Sequence, residues 1–317
     1  MDTVQSVIVT IDGQNVTLST TDGGTTWSAT ATAPSASSFN LTGGYYPLTV
    51  TATYDTGAST TVSGTSDTTL GRQCRLVVKE KYKPTITMLA PATTNGAYLK
   101  NASQNITFRL LDNSNGQSSG FSGIDLSTLS VHISSVSLSL STTYTSADFT
   151  NTGVTGGYEC TKAVTLADAD DYVITVDVSD NDGNSADQAS VSFIVDTDAP
   201  MLSITSPADN MRTNNPVIPV SGTTSDSSPV TIEVEVDGTV VTQIPVDSTG
   251  AFSGSVTLSQ SGSYSFVVIA TDASGNVTRS PSKSVYYSDA VPVITSVTLV
   301  PNPVDGGRTY TITVLTA

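Results

Sequence analysis

The chain has 317 residues, with 12 Lys+Arg against 28 Asp+Glu, one His and a formal net charge of −16. That length holds two or three ordinary domains, and acids spread along it disfavour nucleic acid and anionic membranes, whose phosphates need clustered Lys and Arg. Two cysteines, Cys74 and Cys160, lie in different segments, which excludes an antibody-type disulfide within one domain.

Apolar residues alternate with period two between Gly, Asn, Asp and Pro, and no stretch sustains a 3.6-residue period; the class expected is all-β. The N-terminal Met1-Asp-Thr-Val-Gln has neither the basic region nor the apolar core of an export signal. No run of apolar residues is long enough for a membrane-spanning helix. The expectation is a protein made and kept inside the cell, with no membrane insertion, unless released by lysis.

Residues 1–82 form a first expected module. Val7, Val9 and Ile11 face inward before the Asp12-Gly13 hairpin, followed by inward rows Trp27, Ala29, Ala31 and Tyr46, Leu48, Val50, Ala52. Residues 83–197 form a second. Two introductory strands precede Leu129, Val131, Ile133, then Tyr158, Cys160, then Tyr172, Ile174, Val176, Val178. Cys160 reads as a small buried apolar residue. Residues 198–290 form a third, again with two introductory strands. Its inward rows are Val230, Ile232, Val234, Val236, then Phe252, Val256, Leu258, then Tyr264, Phe266, Val268, Ala270, and Asp237-Gly238 is its hairpin turn. Trp27, Tyr158 and Phe252 occupy one repeat position and Tyr46, Tyr172 and Tyr264 another. Their inward parity makes them core rather than a carbohydrate platform.

Residues 291–317 repeat the introductory strand pair, whereas the first module reads as a sandwich without one. An incomplete sandwich exposes an unpaired edge and part of its core. The C-terminal segment is therefore expected to complete a partner by strand addition, through Val293, Ile294, Val297, Leu299, Tyr310, Ile312 and Val314; the alternative is that the first module makes do with fewer strands and residues 291–317 dock locally. The partner is expected to be another copy or another protein of the same assembly. Short joints ending in Pro84, Pro200 and Pro292 leave little slack and imply a semi-rigid rod.

No catalytic constellation is visible. His132 alternates with Val131 and Ile133 and so points to solvent, which leaves no histidine for a Ser-His-Asp or Cys-His site. Asp168, Asp170 and Asp171 read as a polar loop, and phosphate-loop, zinc and dinucleotide patterns are absent. The chain is expected to be no enzyme and to need no cofactor. Calcium is the one metal worth carrying. Asp180 and Asp182 lie in an Asp-x-x-Gly-Asn turn, Asp196 and Asp198 in the following joint, and one end of a sandwich can gather such hard oxygen ligands. Turn capping by the same side chains is the plainer account.

The Pro-x-Ile-Thr openings, the Asp-Gly hairpins, the Asp-x-x-Gly-Asn turns at Asp180–Asn184 and Asp272–Asn276, and the Asp196-Thr-Asp-Ala-Pro200 joint resemble tandem bacterial immunoglobulin-like domains. The Leu111-Asp-Asn and Ser122-Gly-Ile-Asp125 stretches are similar to that family too. The resemblance implies three tandem Ig-like β-sandwiches plus a C-terminal two-strand extension. The combination with no export signal also resembles Ig-like accessory tail or decoration proteins of tailed bacteriophages. That implies a virion structural protein contacting other virion proteins and a host-surface glycan or protein. The alternatives are a fragment of a bacterial surface adhesin, placed on the cell surface, and a non-catalytic Ig-like region of a secreted glycosidase.

Overall fold

A computed structural model describes residues 3–113 and 120–316, so Met1 and Asp2 of the N-terminal reading lie outside it. The described chain is almost wholly β and divides into two compact units, Met1–Val195 and Asp196–Ala317.

In the first unit, Val4–Ile11 and Gln14–Thr20 pair across the Asp12-Gly13 turn, whose φ values of 47° and 74° match the twist of the flanking strands. Thr49–Tyr54 and Ser59–Ser63 extend this sheet on one side and Trp27–Ser28 on the other. One short helix, Thr69–Gln73, was not anticipated. Thr68 caps it, its Oγ1 accepting from the Gly71 N–H at 3.1 Å, a local signal too short for a periodicity search. The buried cluster here is Ile11, Tyr46 and Val78, with Leu48 and Leu76 packed against it.

Residues 84–195 build two facing sheets. One orders Thr150–Val154, Gly157–Thr165, Ser103–Leu111 and Thr85–Ala90; the other orders Leu140–Thr145, Ile124–Ser135, Ala169–Asp180, Ala189–Val195 and Ala97–Leu99. Their inner rows meet with Ile106, Phe108, Leu110 and Cys160 against Val131, Ile174 and Val176, all inaccessible to solvent. Each such side chain contributes about 1.5–3 kcal/mol by leaving water. Burial also pushes the Cys160 thiol up to about 11, so it packs as a small apolar group. Tyr172 stacks on Phe193 with centroids 5.3 Å apart and donates its hydroxyl to the Ala167 carbonyl at 3.0 Å. Tyr264 and Tyr46 do likewise to Gln260 and Ala36. A buried ring at that repeat position keeps its one polar atom satisfied. His132 sits on the solvent side, within 3.0 Å of the Ser141 hydroxyl.

In the second unit, Met201–Ser206, Val217–Ser225 and Ala251–Thr257 form one sheet. Met211–Thr213, Lys283–Tyr287, Gly262–Asp272, Val230–Val236 and Thr239–Ile244 form the other. Ile218, Val220, Ile232, Val234, Phe252 and Phe266 are buried between them. Ile294–Val300 and Thr311–Thr316 pair only with each other.

Two differences from the sequence reading concern the first unit. Ala29 and Ala31, expected on an inward row, are exposed, because no described strand covers the face they border. The first two expected modules also share contacts. The Ser37 N–H donates to Gly120 O at 2.7 Å, Asn40 Nδ2 to Phe121 O at 2.9 Å, and the Glu80 N–H to Asp182 Oδ2 at 2.9 Å.

Candidate metal centre

Where the chain enters residues 84–195, three acids converge from segments distant in sequence. Glu80 belongs to the joint preceding Pro84, Asp112 follows strand Ser103–Leu111, and Asp180 ends strand Ala169–Asp180. One carboxylate oxygen of each lies within 4.8 Å of the others. Their exposures are only 4 %, 1 % and 2 %, a degree of burial at which unpaired carboxylates are costly. None takes part in the four ion pairs found among the described residues.

The surrounding bonds fix each carboxylate. The Asn184 N–H donates to Asp180 Oδ1 at 2.8 Å and its Nδ2 to Oδ2 at 2.7 Å; that Nδ2 also reaches the Glu80 carbonyl at 3.2 Å. The Tyr82 N–H donates to Glu80 Oε2 at 2.7 Å. The Gly123 N–H donates to Asp112 Oδ2 at 2.6 Å, whereas Asp112 Oδ1 is buried with no partner. Burial, then the hydrogen bond with Asp180, pushes the Glu80 carboxyl up to about 7. Burial, opposed by the Gly123 bond and aided by the charges of Asp180 and Asp182, raises Asp112 as well. These groups resist carrying three negative charges together unless a positive charge joins them.

The second unit repeats the arrangement. Asp196, Asp226 and Asp272 gather their oxygens within the same limit. The Asn276 N–H donates to Asp272 Oδ1 at 2.7 Å, and its Nδ2 reaches both Asp272 Oδ2 and the Asp196 carbonyl at 2.8 Å. Glu80 and Asp196 each stand four residues before a proline, and Asp112 and Asp226 each follow an introductory strand. Asp226 is only half-buried, and its carboxylate already accepts from the Ser228 N–H and Oγ.

The four aspartates expected together are thus divided. Val195, the residue before Asp196, pairs with Ala169 at the far end of the strand that Asp180 closes. Asp180 and Asp196 therefore lie at opposite ends of that strand, roughly 35 Å apart at 3.3 Å per residue. Asp182 accepts from the Glu80 N–H and its carbonyl from Lys79 Nζ, so it clamps the joint from outside the cluster. Asp198 is exposed and lends its backbone N–H to Asp196. Glu80, Asp112 and Asp226 were missed. The signal that finds them is the repeat register, an acid four residues before Pro84 and Pro200 and another just after the introductory strands.

Residues 200–284 match the family model described as glucodextranase, domain B. No curated protein matches the chain. Solved structures similar to it include the fibronectin(III)-like modules of Clostridium thermocellum CbhA, at 16% identity over 64% of this chain and 94% of that one, TM-score 0.37. The titin I-band fragment I67–I69 is 9% identical over 89% and 87%, TM-score 0.37. Extracellular domains 3–5 of Drosophila OTK are 11% identical over 89% and 85%, TM-score 0.36.

Proposed function

We propose that the chain is a non-catalytic spacer of tandem Ig-like modules, with calcium bracing the point where residues 84–195 join the preceding segment. The observation that carries this reading is the buried Glu80–Asp112–Asp180 cluster, with one Asp112 oxygen facing no donor. Calcium takes six to eight hard oxygens at 2.3–2.6 Å, so two ligand atoms on one ion stand up to about 5 Å apart, which the observed spacing fits. Glu80, Asp112 and Asp180 would supply the charge that the ion balances, tying a joint, a strand end and a hairpin turn into one cross-link. Magnesium, smaller and bound to rigid octahedral geometry, suits this set less well.

The test is thermal unfolding with EDTA and with calcium. A hundredfold excess over Kd raises the midpoint by roughly 5–10 °C for a unit of this size, and Asp112→Asn loses most of that gain. A midpoint indifferent to both additions overturns the proposal.

A second reading concerns the setting. The match over 200–284 to a glucodextranase domain supports an accessory region of a secreted glycosidase at least as well as a virion accessory protein that assembles with other virion proteins and touches a host-surface glycan or protein. Retarded migration in gels containing dextran, the polysaccharide class in the matched domain's name, favours the glycosidase setting, and unretarded migration there removes that support.

A further inference from the structure

The chain holds both halves of an interface that it builds twice elsewhere. Strand Ser103–Leu111 pairs along its length with Gly157–Thr165, burying Ile106, Phe108 and Leu110 completely; Val217–Ser225 pairs with Ala251–Thr257 and buries Ile218 and Val220. The corresponding segment of the first module begins as strand Trp27–Ser28, but Ala29–Ala33 continue it exposed and without a strand partner. Beside them opens a cavity of about 410 Å³ whose walls include Val9, Val16, Leu18, Trp27, Ala31 and Leu48.

The C-terminal hairpin has the complementary form. Val297 stands opposite Val314 and Leu299 opposite Ile312, placing four apolar side chains on one face. All four are exposed, by 57 %, 48 %, 39 % and 57 % respectively. A two-stranded hairpin with nothing against its face is marginal in water. Its second strand, Tyr310-Thr-Ile312-Thr-Val314, repeats the alternation of Ile106-Thr-Phe108-Arg-Leu110. Charge points the same way. The cavity lining has no ionisable side chain, and residues 291–317 carry only Asp305 and Arg308. In a chain of net charge −16, these are surfaces where two copies meet without like-charge repulsion.

We propose that the hairpin Ile294–Thr316 of one copy docks into the first-module groove of a second copy. Its strand Thr311–Thr316 pairs along Ala29–Ala33, and Val297, Leu299, Ile312 and Val314 enter the cavity. The contact joins unlike surfaces, so the donor copy keeps its groove and the acceptor its hairpin free for further neighbours, giving chains or closed rings.

Sedimentation velocity of the full chain across a concentration series tests this. The wild type forms dimers and larger species as concentration rises. Ile312→Asp and Ala31→Arg, both at exposed positions, each remain monomeric with unchanged circular dichroism. Mixing the two variants restores a dimer that grows no further, since one supplies only a groove and the other only a hairpin. A wild type monomeric throughout, oligomers indifferent to Ile312→Asp, or a mixture that stays monomeric would each overturn the proposal.

Discussion

Asp171 shows how a single side chain couples this fold to pH. The Ser135 hydroxyl donates to its Oδ1, Ser137 Oγ donates to that same oxygen at 2.8 Å, and the Ser137 N–H reaches Oδ2 at 2.7 Å. These donors, Ser135 foremost, hold the carboxyl at about 2. A group depressed in the folded state adds stability above its unfolded value, near 3.9. That stability is lost as pH falls through the folded value. Asp171→Asn should therefore be less stable at neutral pH and lose less stability between pH 4 and pH 2. Urea midpoints at pH 6, 4 and 2 check this, and parallel acid limbs would refute the assignment. The sequence marked Asp171 only as part of a polar loop. Its partners sit at the end of a neighbouring strand and in the turn after it, 36 and 34 residues away, a distance no local pattern bridges.

At the scale of elements, two-residue turns and inward rows were legible because period-two alternation is a direct record of which face meets the core. Val131, Ile174, Phe252 and Val268 are buried as their parity requires. The first module departs from its pattern at Ala29 and Ala31, which are exposed and lie in no described strand. Parity predicts a face and cannot say whether that face is covered. The acid clusters were half legible. The Asp180 and Asp272 turns announced themselves, while Glu80, Asp112 and Asp226 became partners only through antiparallel pairing that returns distant segments to one end. Gly250 is a sharper case of element-level constraint. It has φ +82°, and a Cβ there would stand 2.2 Å from the Thr224 carbonyl oxygen. Gly250→Ala should cost about 1–3 kcal/mol, read as a lower urea midpoint with an unchanged m-value. An unaffected midpoint would mean the turn relaxes freely.

Across the whole molecule, stability is distributed unevenly. Residues 84–195 and the sandwich of the second unit enclose extensive cores, whereas the first module buries only Val7, Ile11, Tyr46 and Val78 among its described apolar residues and leaves an apolar cavity open. The acid-rich joint at Glu80 lies between the weakest and the largest of these cores, where a cross-link has most to add. Among the described residues no helix is long and apolar enough to cross a membrane. Calorimetric titration of the metal-stripped full chain with calcium chloride tests the joint most directly. Saturable binding that disappears in Asp112→Asn while the variant keeps its circular dichroism is the predicted result. Absence of binding, or binding that Asp112→Asn leaves intact, would contradict a calcium-braced joint.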